Sequence, residues 1–262
     1  MVKKFFERFY VALILIFLYA PIAILIILSF NGSKSRAKWG GFTLKWYREL
    51  FKNESIMNAL YTTLIIAVLS ALIATIIGTA AAIAINSMKK TPRTIMIAIT
   101  NIPMLNADIV TGISLMLLFV ALRYTLGFSS VLISHITFNI PYVILSVLPK
   151  LKQLNPHTYE AALDLGASPA YAFFKVILPD IFPGVLTGFF LSFTMSLDDF
   201  VITHFTKGPE IHTLSTKIYT EVRKGIKPEI YALSTLMFIT VLLLLIIINR
   251  KNAEKKAPVS RV

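Results

Sequence analysis

Read by hydropathy, the chain is a succession of apolar runs separated by polar stretches. The runs fall at about 9–30, 57–85, 95–122, 131–148, 181–205 and 230–249. Most are about 20 residues or longer and none is a ten-residue alternation, which predicts six bilayer-crossing helices. The first run follows Lys3, Lys4 and Arg8. It is longer than a signal-peptide core and no small-x-small site follows it, so it is expected to stay as span 1. Pro21 predicts a kink in that span, Pro103 a break in span 3, and Pro141 lies within span 4. Along span 2, Ala67, Ser70, Ala71, Ala74, Gly78, Ala81 and Ala82 recur at three- and four-residue spacing, which predicts a helix-packing face. The polar segment after span 1 carries Trp39, Trp46 and Tyr47, residue types found at membrane interfaces. Its piece Leu44–Phe51 is amphipathic and is expected in the interface plane.

Composition agrees with this pattern. The 262 residues are 56% hydrophobic, and the mean hydropathy is +0.74. The expectation is an all-α integral membrane protein with a single transmembrane domain over residues 1–262. There are no cysteines, which excludes disulfides and thiolate chemistry. The formal net charge is +13, and most of it flanks the spans, as basic residues at lipid headgroups do. Lys and Arg divide 14 to 12 between the two sides, too even to orient the chain by the positive-inside rule.

Acids at membrane depth point to function by default. Asp108 falls near the middle of span 3, with Asn101 and Thr111 on about the same face. In span 5, Ser192, Ser196, Asp199 and Thr203 share one face, and Asp198 points a quarter-turn away. Phe138, Tyr142, Phe189, Phe193 and Phe200 lie nearby in sequence or along the same spans. Two readings fit these acids. They line a pathway for a cation, with rings for cation–π contact, or they are hydrogen-bond partners between helices. One of Asp198 and Asp199 also suits a helix cap. His135 and Asn139, four apart in span 4, suit the role of interhelical glue.

One polar stretch stands out, from Asn155 to Pro169. It reads as two short helices joined at a glycine. Asn155 caps the first, with Pro156 in its first turn, and Gly166 ends it. Ser168 and Pro169 start the second, which is expected to stop near Leu178, before Pro179. Ala161 and Ala162 put almost no side chain between the first helix and whatever it touches. The stretch has the form of a knob made to fit a socket. No GxxxxGK[ST], His-Glu-x-x-His or Gly-x-Ser-x-Gly motif occurs, so the chain is not expected to be an enzyme.

Glu160-Ala161-Ala162, Gly166, and then Val176-Ile177-Leu178-Pro179 resemble the EAA loop of binding-protein-dependent ABC importer permeases, with Val176 where that family usually has Ile. Further stretches are similar to the second permease subunit of spermidine/putrescine importers: Gly41–Tyr47, Asp108-Ile109-Val110, Ser134–Phe138, Glu160–Ser168 and Leu191–Asp199. The resemblance implies the type I ABC importer permease fold with six transmembrane helices. It implies a cytoplasmic coupling loop over 149–180, in which Glu160, Ala161, Ala162, Asp164, Gly166 and Ser168 meet an ATPase. A polyamine carries several positive charges, which suits Asp108, Asp198 and Asp199 as residues of the substrate pathway. The partners the resemblance implies are a homologous second permease forming a heterodimer, two cytoplasmic ATPase subunits and an extracytoplasmic substrate-binding protein. The cargo is a polyamine and the setting a bacterial cell membrane, with both termini cytoplasmic. No cofactor or metal is expected in this chain, with ATP and magnesium in the ATPase; nucleic acid is not an expected partner. A same-fold permease for another solute, such as a metal complex, and a secondary transporter stay open as alternatives.

Overall fold

The computed structural model describes residues 2–35, 37–155, 157–225 and 227–254, with side chains over 8–243 of these. Pro156, predicted in the first turn of the knob, Arg36, and the basic tail beyond Glu254 lie outside the described residues. In chain order the helices are α1 (Val2–Ser29), α2 (Lys45–Lys52), α3 (Glu54–Ser87), α4 (Lys90–Leu105), α5 (Asp108–Ala121), α6 (Phe128–Gln153), α7 (His157–Asp164), α8 (Pro169–Ala172), α9 (Leu178–Asp198), α10 (Val201–Thr206), α11 (Leu214–Lys224) and α12 (Pro228–Glu254). A π-helical turn, Phe173–Ile177, joins α8 to α9.

Four segments are long and apolar enough to cross a bilayer: Arg8–Ser29, Glu54–Ser87, Phe128–Gln153 and Pro169–Asp198. The α4–α5 pair meets the same criterion together, bent by 101° at its junction, and α12 is apolar over Pro228–Leu243. These are the six places where hydropathy sets the spans.

The chain forms two compact units, Met1–Met57 with Ile218–Val262, and Asn58–Lys217. In the first, α1 and α2 both pack on α12. The loop between α1 and α2 is built around Asn31. Its Oδ1 accepts from the N–H groups of Ser33 (3.1 Å) and Gly40 (2.8 Å), and its Nδ2 donates to the Lys38 carbonyl (3.0 Å). Trp46 corrects one expectation. It is not a ring exposed on the surface: it is buried, and its indole N–H donates to the Asn31 carbonyl at 2.6 Å. A buried indole needs a partner for its N–H, and the polar loop supplies one. Trp39 stays exposed, and Tyr47 bonds Ser29 through its hydroxyl at 2.7 Å.

In the second unit the core lies between α3, α6 and α9. Ala74, Ala82, Ile85, Val143, Ile144, Val147, Leu148 and Ile181 form one buried cluster. Ala67, Ser70, Ala71, Ala74, Gly78 and Ala82 of α3 are all buried, as their spacing predicts. Gly78 and Gly188 allow the closest approaches. A Cβ on Gly78 would lie 2.7 Å from Val143 Cβ, and one on Gly188 3.1 Å from Val143 Cα. Without a strong hydrophobic force between helices in lipid, such backbone proximity is what holds them together.

Three helix boundaries differ from expectation. Span 3 does not break at Pro103, which lies inside α4. The break comes at Asn106 and Ala107, both in extended conformation, and α5 begins at Asp108. Short polar side chains favour such non-helical turns, and a carboxylate in a first turn faces the positive end of the helix. Span 5 is not continuous to 205. It stops at Asp198, and α10 starts anew at Val201. The knob's second helix does not stop at Leu178. It runs on through Pro179 as one helical stretch to Asp198. The π turn explains this. The Leu178 N–H bonds the Phe173 carbonyl five residues back, so the missing N–H of Pro179 falls where the helical register is already widened.

A leucine at Gly78 is expected to push α3 off α6 and cost about 1–3 kcal/mol. Alanine at Gly127, whose Cβ would meet nothing within 4 Å, is expected to be neutral. Thermal unfolding midpoints of the purified protein check both.

Candidate functional site

The two helix breaks face one cavity of about 290 Å³ in the second unit. Asp108 reaches it from the start of α5. Asp198, Asp199 and Phe200 reach it from the break between α9 and α10. Phe138 and Tyr142 reach it from α6, and Thr111 from one turn into α5. Sequence spacing set Asn101 beside Asp108. The turn at Asn106 puts it on a different helix, and it does not line the cavity.

The two adjacent aspartates do different work. Asp199 is turned inward, with its side chain 9% exposed. Its Oδ2 accepts from the Thr203 N–H and the Thr203 hydroxyl, both at 2.8 Å, and its Oδ1 accepts from the Ile202 N–H at 3.3 Å. Its carboxylate is thus the cap of α10, and its backbone carbonyl takes a 2.6 Å hydrogen bond from Ser215. Asp198 and Asp108 are exposed to the cavity side.

Behind Asp199 runs a line of buried polar groups. His135 Nε2 lies 2.9 Å from the Thr203 hydroxyl and 3.5 Å from Asp199 Oδ2. His135 Nδ1 lies 2.6 Å from the Ser196 hydroxyl, which in turn lies 3.1 Å from that of Ser70. Thr203 gives its only O–H to Asp199, so it accepts from His135 Nε2–H, while Ser70 donates to Ser196. His135 is the interhelical glue its position suggests, but Asn139 makes no hydrogen bond.

Sequence reasoning gathered the aspartates, Thr203 and His135 but not their linkage. An Asp followed four residues later by Thr, at the end of an apolar run, is the signal of a cap rather than of a continuing helix. After α10, Lys207 is held below the ordinary lysine value by burial. His212 is held below the ordinary imidazole value by burial and by the charges of Lys207 and Lys217.

The knob is a second site in the same unit. The Asn155 side chain accepts from the His157 N–H at 3.0 Å, at the start of α7. The helix ends in a Schellman turn: Ala167 N–H bonds the Ala162 carbonyl (3.1 Å) and Gly166 N–H that of Leu163 (2.9 Å), with Gly166 at φ +86°. The Ser168 hydroxyl accepts from the Tyr171 N–H at 3.3 Å and caps the next helix. An open cleft of about 550 Å³ lies between the helices, lined by Ala162, Gly166, Ser168 and Tyr171. Leu165 at its edge is 89% exposed. Glu160 is exposed, with His157 Nδ1 3.2 Å away.

Comparison with known proteins places this arrangement. Residues 75–253 match the family described as binding-protein-dependent transport system inner membrane component. The chain is 40% identical over 246 residues to the spermidine/putrescine transport system permease protein PotC of Escherichia coli K12, covering 94% of this chain and 93% of the relative. It is 40% identical over 228 residues to that organism's putrescine transport system permease protein PotI, covering 84% and 81%. PotC of Haemophilus influenzae is 36% identical over 255 residues, covering 96% and 99%. Among solved structures, a bacterial ABC transporter involved in import of the acidic polysaccharide alginate superposes with a TM-score of 0.73 at 17% identity, covering 98% of this chain and 96% of that one. By fold and by sequence, the chain is a multi-pass membrane permease that belongs to the binding-protein-dependent transport system inner membrane component family.

Proposed function

We propose that this permease imports polyamines such as spermidine and putrescine, as one of a pair of homologous permease subunits driven by two cytoplasmic ATPases. The observation that carries the reading is the cavity in which Asp108, Asp198 and Asp199 meet Phe138, Tyr142 and Phe200. Carboxylates and ring faces together suit an organic cation. Among the described residues no group of acids and histidines converges as metal ligands would, and acids spread along one cavity suit an elongated polycation. Asp108 and Asp198 bind the ammonium groups, while Asp199 fixes the wall. The two PotC relatives and PotI, whose names specify these solutes, support the same cargo.

In this reading the knob and both termini are cytoplasmic, and the segments after α1 and α10 face outward. An extracytoplasmic binding protein docks there and hands over its ligand. The ATPases bind ATP with magnesium and close, carrying the knobs of the two permeases together. The helical stretch from Pro169 to Asp198 links the knob to the cavity in one piece, about 45 Å long at 1.5 Å per residue. Movement of the knob therefore reaches Asp198 without crossing a loop. Hydrolysis resets the cycle.

Uptake of labelled spermidine and putrescine by vesicles carrying the whole complex, with and without ATP, tests the function. Asp108→Asn and Asp198→Asn are each expected to raise KM about tenfold, the effect of losing one charge-assisted hydrogen bond of about 1.5 kcal/mol, with the unfolding midpoint unchanged. Asp199→Ala is expected to lower both uptake and the unfolding midpoint, because it removes a cap and bares His135, at about 2 kcal/mol. Full uptake by all three variants would remove the cation pathway.

Gly166→Ala tests the coupling. No atom lies within 4 Å of the added Cβ, so only the left-handed backbone is strained, by about 1–2 kcal/mol. The variant is expected to assemble and to lose ATPase stimulation and uptake; normal transport would refute the coupling role. The outward segments hold 12 Lys and Arg, which favours an acidic docking partner. Docking of the binding protein should weaken as salt rises, and salt-independent affinity would contradict it.

A further inference from the structure

Three helices of the second unit meet in levels along their seam. At one level His135 of α6 and Ser70 of α3 both bond Ser196 of α9. Two turns away, Val143 of α6 touches the backbones of Gly188 on α9 and Gly78 on α3. Between the two levels α6 and α3 run forward and α9 runs back by the same number of residues. Midway on the three helices stand Asn139, Ser192 and Ala74.

The outer levels are resolved in opposite ways. The first is hydrogen-bonded throughout, and the last packs Val143 closely against Gly78 and Gly188, although the Thr79 hydroxyl next to Gly78 is also buried without a partner. The middle level is polar and unpaired. Asn139 and Ser192 are each 0% exposed. Neither amide atom of Asn139 has a hydrogen-bond partner, nor does the Ser192 hydroxyl. Thr75, one residue past Ala74, has a buried hydroxyl in the same condition. An amide side chain offers two donors and an oxygen with two lone pairs, and unpaired buried groups of this kind cost about 1–3 kcal/mol each. Ala74 places only a methyl group at this level.

We propose that the middle level is a binding site for one buried water molecule, held by the Asn139 amide and the Ser192 hydroxyl, with the Thr75 hydroxyl as third partner. A buried water makes about three hydrogen bonds to groups otherwise unsatisfied; this level supplies Asn139 and Ser192 on two helices, with Thr75 one residue beyond it on the third. The donor set is neutral and mixed, an amide with two hydroxyls and no carboxylate, which fits water and not a cation. The bound water extends the line from Asp199 through His135 and Ser196 by one further turn. It joins α6 to α9 by polar contacts up to the point where Gly188 takes over with direct backbone packing.

The test is a structure of the intact transporter complex at a resolution that shows ordered water, for the native chain and for Asn139→Leu. Its readout does not depend on which solute is carried. The expected result is a density peak within about 2.7–3.2 Å of Asn139 and Ser192, lost in Asn139→Leu. A direct Asn139–Ser192 hydrogen bond with no density between them overturns the proposal, as does a peak unchanged in the variant. If Asn139→Leu does not assemble, Ser192→Ala replaces it. The peak is then expected to weaken or move toward Asn139, and an unchanged peak is the refuting result.

Discussion

A carboxylate held away from water has to be surrounded by donors, and the donors around Asp199 organise the helices on either side of it. The chain leaves the helix at this residue, which frees the N–H groups of Ile202 and Thr203 to bond the carboxylate. Thr203 then stands where its hydroxyl can both donate to Asp199 and accept from His135. His135 in turn orients Ser196, and Ser196 meets Ser70. Three transmembrane segments are therefore joined to one negative charge. Removing a member of such a line leaves its neighbours bare in a medium that offers no substitute.

The same break creates the cavity. Had span 5 continued as a helix to residue 205, Asp199 would have lain on one face with Ser196 and Thr203, and no corner would have opened beside Asp198. Ending α9 at Asp198 opens a corner, and the 101° bend between α4 and α5 opens a second one opposite, with Asp108 at its edge. Irregular backbone at membrane depth is tolerated where it lines a polar cavity. The two discontinuities and the acids thus belong together: the acids cap or begin the short helices that the breaks produce.

Much of this was legible in the residues. Runs of about 20 apolar residues fall on the four long apolar helices, the bent α4–α5 pair and the shorter apolar part of α12, because the bilayer sets one length scale for spans. The small residues of α3 foretold its buried face because their spacing matches the helical repeat. The family resemblance was carried by the knob, where Gly166 does adopt the left-handed conformation. Boundaries were less legible where two local rules compete. Pro103 is a helix breaker by type, yet the helix ends later, at Asn106 and Ala107, whose backbones are extended. Pro179 predicted a stop that a π turn absorbs, and no residue type announces a π turn. Trp46 has the chemistry of an interfacial residue, and only the loop folded round Asn31 makes it a buried anchor. The linkage from Asp199 to Ser70 joins residues more than a hundred positions apart, which periodicity cannot show.

The absorbed proline matters most for how force could travel. A stop at Leu178 would have left the knob connected to span 5 by a flexible joint, and motion at Gly166 would dissipate there. The helix instead begins at the Ser168 cap and ends at the cavity wall. Its lower part is seated against α6 through Gly184, where a Cβ would come within 2.9 Å of the Ser146 carbonyl, and its upper part through Ser196 and His135. A rod fixed at both levels to the same neighbour can tilt only together with α6. α6 carries Phe138, Tyr142 and His135, so tilting moves one wall of the cavity as a body. Pro183 inside α9 omits one rung of the hydrogen-bond ladder, and the π turn beside the knob widens the ladder. That position lets the knob adjust its angle against a partner while the part of the rod that bears Asp198 stays intact.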